Sequence, residues 1–289
     1  MKEKKGITEK LKFSVSLRAH CDICVKCNGT PWKARIPLNI MSHRFYLEPN
    51  VSHIDGNRAV LAGDEAHHFI RVMRGQIGDS IILFDGTSIY YEAVVQEIRK
   101  DVLIARIDTE YEDDIESPLH LTVCAALPKG DRQKFLVEKL AELGVARFVP
   151  LRTERSVAKA DANVRHRLQR QVIEASKQCG RNVLMQITEE LSIAQVAALL
   201  TADDPTNSET IRLLLHSVAL GAADPLLARE IVRIPLPNRA AILVGPEGSF
   251  TDAEVSEAMA LGFQPLDLGK RILRTETAAI AAASLLLTT

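Results

Sequence analysis

Residues 240–254, AAILVGPEGSFTDAE, and residues 268–282, LGKRILRTETAAIAA, decide how the rest of the chain is read. AAILVG is an uninterrupted apolar run of the kind that forms a central parallel strand covered on both faces. Behind it, Gly245 and Gly248 permit close backbone approach, Pro246 stiffens the turn, and Glu247 leaves one carboxylate at the strand's end. Thr251 followed by Glu254 has capping-box spacing and predicts a helix stopped by Gly262. In the second stretch Lys270, Arg271, Arg274 and Glu276 crowd between a short strand and a strongly apolar helix over 278–287. Thr275 or Thr277 can cap that helix, with Glu276 favourably near its dipole. Taken singly, each stretch is also what an ordinary strand-to-helix turn or a solvated helix start contains.

Upstream the same rhythm repeats. LHLTVCAAL (119–127) reads as a buried strand, and residues 131–143 as a helix with Leu136, Leu140 and Leu143 inward and Gly144 as its stop. VARFVPL (145–151) is the next strand. The following helix, Ala162–Cys179, carries Val164, Leu168, Val172, Ala175 and Cys179 along one stripe and ends at Gly180. IRLLLHS (211–217) is a further apolar strand, with helical segments predicted near 193–200 and 224–232. Strand and helix in alternation mean an α/β domain with a mainly parallel sheet. Ligands of such sheets bind outside the carboxyl ends of the strands. The candidate site is therefore Leu215-His216-Ser217, the GPEGSF loop and the LGKRILRTET loop. His216 by itself is as readily a satisfied core histidine. Neither GxGxxG nor GxxxxGK[ST] occurs, so the usual nucleotide-phosphate motifs are missing.

Ahead of this domain the sequence is β-rich. SHRFYL (42–47), AVLAG (59–63), SIILFDG (80–86), SIYYEAVVQEI (88–98) and DVLIARIDTEY (101–111) are separated by Gly and Asp turn signals, which predicts a small barrel. One helix, DEAHHFIRVMR (64–74), interrupts it, with Phe69, Ile70 and Met73 on one face. An acidic stretch from Asp108 to Glu116 reads as a solvated linker. The expected division is a disordered leader or mis-assigned start over 1–41, a barrel over 42–113 and the α/β domain over 114–289.

The 289 residues, 46% of them hydrophobic, suffice for a real core. The N-terminus has no apolar stretch followed by a cleavage site, and the run 278–287 is too short to span a bilayer, so a cytoplasmic protein is expected. Five cysteines without an even, distributed spacing agree with a reducing compartment. Three of them sit in HCDICVKC (20–27). Structural zinc sites usually pair two short ligand clusters across a longer loop, so this cluster reads as incidental and no metal is expected. Net charge is −1, but residues 128–181 hold 13 Lys and Arg against 6 Asp and Glu. That local excess suits a nucleic-acid partner and, equally, plain solubility.

Taken together, LVGPEGSFTDAE and LGKRILRTETAAIAA resemble the SPOUT methyltransferases, specifically the ribosomal RNA small subunit methyltransferase E family. The resemblance continues in LPKGDRQKFLVEKLAELGV (127–145), PLRTERSV (150–157), EASKQCGRN (174–182), HRFYLEP (43–49) and HHFIRVMRGQIGD (67–79), and so covers nearly all of 42–287. It implies a PUA-like β-barrel joined to a trefoil-knotted α/β domain with a parallel sheet, a homodimer, S-adenosyl-L-methionine as cofactor, and methylation at N3 of a uridine in 16S ribosomal RNA of the small subunit. On that reading Leu215, His216, Gly245, Pro246, Glu247, Gly248, Leu268, Gly269, Ile272, Leu273 and Thr277 wall the cofactor pocket. Arg274 is the candidate for stabilising charge on the uracil oxygens, and Glu276 joins it as a catalytic candidate. Glu247 and Glu276 are alike candidates for proton removal or for binding polar parts of the cofactor. RNA phosphates would meet Arg44, Arg71 and Arg74 in the barrel and Lys129, Arg132, Lys134, Arg152, Arg155 and Arg181 in the larger domain. The competing readings are a SPOUT enzyme acting on another RNA site and a non-catalytic RNA-binding module.

Overall fold

The computed structural model describes residues 43–112, 115–204, 210–216, 226–231 and 237–287; the cysteine cluster at 20–27 lies outside them. In the first module, strands β1 (His43–Tyr46), β2 (His53–Asp55), β3 (Arg58–Ala62), β4 (Ser80–Phe84), β5 (Ile89–Ile98) and β6 (Val102–Glu112) form one sheet in the order β1-β4-β5-β6-β3-β2. Neighbours are antiparallel except β1 and β4. Phe45, Leu61, Ile81, Leu83, Val95 and Leu103 are buried in a single cluster. The β5/β6 ladder shifts register at Glu92/Ala93 and at Val95/Glu97, and such bulges bend a sheet around its core. This is the curled form of the expected PUA-like module.

The helix predicted over 64–74 comes in two pieces. An α-helical part, α1 (Gly63–His67), passes into a π-helical turn at His68–Val72, where Met73 N donates to His68 O at 3.0 Å. The wider turn keeps Phe69 fully buried, edge-on to Phe45 at 5.6 Å, and leaves Arg71 and Arg74 exposed.

The second module begins with β7 (His120–Ala125), α2 (Arg132–Glu142), β8 (Arg147–Pro150), α3 (Ala162–Cys179), β9 (Gln186–Ile187) and α4 (Ile193–Asp203). It continues through β10 (Thr210–Leu215), β11 (Leu226–Leu227), α5 (Ala228–Ile231), β12 (Arg239–Val244), α6 (Asp252–Ala260), β13 (Gln264–Asp267) and α7 (Thr275–Leu287). The helix predicted over 224–232 is thus represented by α5 alone among the described residues. All strand pairs are parallel, in the order β11-β13-β10-β12-β7-β8-β9.

Side-chain alternation divides this sheet between two cores. Leu121, Val123, Ile242 and Val244 join α2, α3 and α7 on one face, while Cys124, Leu214, Ala241 and Leu243 join α4 and α6 on the other. After β12 the chain runs through α6 on the second face, forms β13 on the far side of β10, and returns with α7 on the first face against α2, β7 and β12. That doubling back is the path which the resemblance implies for a knotted SPOUT domain. Among the described residues no helix is long and apolar enough to cross a membrane.

Charged side chains taken out of water build the joint between the modules. Lys177 Nζ on α3 meets Glu65 Oε1 at 3.0 Å and lies 5.9 Å from the centre of the Phe45 ring. Burial pushes the Glu65 carboxyl up from its ordinary range, against the pull of Lys177. Gly86 pairs with Val183 in a parallel bridge beside them. Arg44 points into this joint: it donates to Asn182 and its guanidinium lies 5.3 Å over the Phe84 ring. Half-buried there, it packs the modules together. Arg181, expected at an RNA phosphate, is instead 3% exposed and fully engaged by Glu116 and the carbonyls at the end of α2.

Candidate cofactor and RNA site

Parallel strands deliver three loops to one place. The carboxyl ends of β10, β12 and β13 surround a cavity of about 370 Å3. Leu215 and His216 come from the first, residues 244–250 from the second, and residues 266–269 and 271–273 from the third, with Thr275 and Ala278 of α7 completing the lining. The lining mixes apolar side chains with loop backbone, the usual constitution of a small-molecule site.

The loop after β12 is held from several sides. Ser249 N donates to Pro246 O at 2.8 Å, closing a turn in which Ser249 takes a φ of +62°. At Gly245 a Cβ would stand 3.0 Å from the Phe250 ring, so this glycine lets the loop fold over that buried aromatic. Thr275 Oγ1 donates to Gly245 O at 2.9 Å. Arg155 Nη1 donates to Gly248 O at 2.7 Å, and Glu154 N, next to it, donates to Glu254 Oε1 at 2.7 Å. Glu254 is also the capping-box residue of α6, accepting from Thr251 N at 2.9 Å. The third loop turns at Gly269, whose φ of +113° suits glycine and whose N–H donates to Asp267 Oδ1 at 2.8 Å.

The structure brings together ten of the eleven expected pocket residues; Thr277 faces outward on α7 instead. Ser249, Phe250, Arg271 and Thr275 lie in the two loops that the sequence marks but are not among the expected pocket residues, and Val244, Leu266, Asp267 and Ala278 lie outside those loops altogether. Thr275 looked like a helix cap, but it lies inside α7 and spends its hydroxyl on Gly245, a contact across thirty positions that no local pattern announces. Arg274 is exposed at the helix entrance, and its carbonyl accepts from Ala278 N at 2.8 Å. Glu276 is buried outside the cavity wall.

Of the expected RNA contacts, Arg71, Arg74, Lys129, Lys134, Arg152 and Arg155 are exposed. Arg132 is engaged by two carboxylates, Glu247 and Glu276. A larger cavity of about 740 Å3 lies between the modules, but Glu48, Asp64, Glu65 and Glu174 among its lining make it a poor seat for an anion.

Comparison with known proteins agrees with this geometry. Residues 115–287 match the model of the RNA methyltransferase domain, and residues 61–108 that of the RNA methyltransferase PUA domain. The ribosomal RNA small subunit methyltransferase E of Synechocystis is 32% identical over 267 residues, covering 90% of this chain and 84% of its own. The Bacillus subtilis protein of the same name is 29% identical over 230 residues, with coverage of 78% and 87%. A crystal structure of ribosomal RNA small subunit methyltransferase E from Neisseria gonorrhoeae bound to S-adenosyl methionine superposes with a TM-score of 0.71 at 33% identity, over 86% of this chain and 97% of that one. Family models that match both modules and a relative 32% identical over 90% of this chain lead to one assignment: the chain belongs to the ribosomal RNA small subunit methyltransferase E family.

Proposed function

We propose that this protein transfers a methyl group from S-adenosyl-L-methionine to N3 of a uridine in 16S ribosomal RNA, in the cytoplasm, working as a homodimer on the small ribosomal subunit. The observation that carries the reading is the cavity at the ends of β10, β12 and β13, walled by the 244–250 and 266–273 loops. Its residues fit the cofactor. Leu215, Leu268, Ile272 and Leu273 offer an apolar slot for a purine, and the loop backbones offer polar groups to fix its orientation. When bound, S-adenosyl-L-methionine supplies an electrophilic methyl group on a sulfonium.

The remaining work falls to the chain. Uracil N3 must give up its proton to solvent water before it can take the methyl group, and the negative charge this leaves spreads over N3, O2 and O4 until the new bond forms. Arg274, cationic and exposed at the entrance to α7, is the group proposed to face those oxygens. Alignment of base and methyl group by the loop walls supplies the other large share of the rate. Arg71, Arg74, Lys129, Lys134, Arg152 and Arg155 would hold the RNA through its phosphates. Phe135 on α2, 48% exposed, is an apolar side chain that a second copy of the chain would cover.

The test is transfer of labelled methyl groups to undermethylated small subunits, followed by nucleoside mass spectrometry and mapping of the product. N3-methyluridine in 16S RNA is the expected product. A different methylated nucleoside would keep the cofactor site and discard the target. Absence of cofactor binding would favour an RNA-binding module without catalysis.

A further inference from the structure

Glu276 is the second residue of α7 and only 5% exposed. Its Oε1 stands 3.7 Å from Arg132 Nη1, and its Oε2 is buried with no hydrogen-bond partner among the described residues. A buried carboxylate oxygen left unpaired is costly, and its retention asks for a reason. The same Arg132 nitrogen contacts Glu247 Oε1 on the loop that walls the cavity. One residue before Glu276, Thr275 ties α7 to Gly245 at the start of that loop. The first residue of α2, the 245–248 loop and the first turn of α7 therefore meet at a single guanidinium. Alone, an Arg132–Glu247 pair would be a half-exposed surface contact of little consequence, with both side chains free to move. A buried carboxylate behind the guanidinium changes this, because it fixes where the planar fork of Arg132 lies.

We propose that Glu276 is a positioning residue: it anchors Arg132, Arg132 anchors Glu247, and this chain of contacts holds the 245–248 loop in the shape that receives the cofactor. Glu276 then touches neither the cofactor nor the target base. The same contacts occupy Arg132 and remove it from the phosphate-binding set. The inference rests on reading the cavity as the cofactor site.

The experiment is calorimetric titration of S-adenosyl-L-methionine into the full chain, as wild type, Glu276→Gln, Arg132→Ala and the double variant. Thermal unfolding and the pH profile of kcat at saturating cofactor are measured on each. Each single change is expected to weaken binding about tenfold, and the double variant to bind no worse than Arg132→Ala, because residues acting through one another are not additive. Arg132→Lys is expected to recover part of the loss, and the pH profile of kcat to keep its shape throughout. Additive losses near a hundredfold, or unchanged affinity in folded Glu276→Gln, overturn the proposal. So does a lowered kcat with an altered pH profile, which would make Glu276 a group acting at the base. Where Glu276→Gln does not fold, Glu247→Gln on the exposed loop carries the same test: it must weaken binding and be non-additive with Arg132→Ala, or the proposal fails. Leu273→Trp, which obstructs the cavity, separates the two levels of the argument. If that variant binds cofactor as the wild type does, the site reading falls and this inference with it; if it does not bind, the site stands and the cycle decides the role of Glu276.

Discussion

Arg181 reaches Glu116 through Nε at 2.7 Å and through Nη2 at 2.6 Å, while its Nη1 donates to Val145 O at 2.9 Å and Ala141 O at 3.2 Å. One guanidinium thus joins the segment leading into β7 to the carbonyl end of α2, where unpaired acceptors need a donor. Arg181→Ala removes these donated bonds from the interior and is expected to cost roughly 3 kcal/mol of stability, read by denaturant unfolding. RNA affinity of the folded variant should match the wild type; a selective loss of RNA binding at unchanged stability would restore Arg181 to the RNA surface.

Arg274 is expected to behave in the opposite way. Arg274→Ala should unfold at the wild-type temperature and bind cofactor normally, yet turn over at least tenfold more slowly, about 1.4 kcal/mol of barrier. Single-turnover methyl transfer at saturating cofactor checks this, and a normal rate removes Arg274 from the reaction.

At the module joint, Lys177→Ala strands the buried Glu65 carboxylate and should cost about 3–5 kcal/mol, the usual penalty for breaking a buried pair from one side. Combining Lys177→Met with Glu65→Gln should regain most of that loss, because the amide oxygen can still accept from Tyr46 N, which lies 3.3 Å from Glu65 Oε2. A double variant as unstable as Lys177→Ala would mean that the pair itself is net stabilising.

His120 sets an acid limit. Burial, then Arg147 and Arg239, hold its imidazole below the ordinary value of 6.5. The native state therefore keeps it neutral while the unfolded chain protonates it, so its contribution is fully present above pH 6.5 and is lost as the pH falls through the native value. His120→Gln should flatten this part of the stability profile; urea midpoints compared at about pH 5 and about pH 7.5 measure it. An unchanged acid slope would assign the loss to other groups.

RNA binding should weaken steeply with salt. Neutralising any one of Arg71, Arg74, Lys129 or Lys134 should reduce the slope of log affinity against log salt by roughly 0.7 to 1 for each phosphate contact removed. Filter binding over a salt series distinguishes such residues from solvated surface, for which the slope stays put.

Much of the fold was legible because it depends on local pattern. The helix Ala162–Cys179 and the capping box at Thr251 and Glu254 stand where periodicity and spacing put them. The strand-end rule marked the loops that wall the cavity, and the family resemblance supplied ten of its residues. What escaped was tertiary. The π-helical turn at His68–Val72 falls within an apolar spacing that predicts an α-helix, and it shows only in the bond from Met73 N to His68 O. Arg44 and Arg181 carry the same charge as the exposed basic residues, and a sequence does not say which guanidinium finds Asn182 or Glu116. The roles of Thr275 and Glu276 hang on Gly245 and Arg132, both distant along the chain.

Because Gly86 pairs with Val183 and Lys177 is seated between Glu65 and Phe45, the β module does not trail on its linker. The exposed arginines at its π-helical turn keep a set span from the basic loops of the α/β module. On the function proposed above, an RNA held by both would meet a gauge and would have to bend or open until its backbone fits that span. Selection would then fall on the folded shape of the RNA around the target base, and the right nucleotide presented in the wrong architecture would be refused.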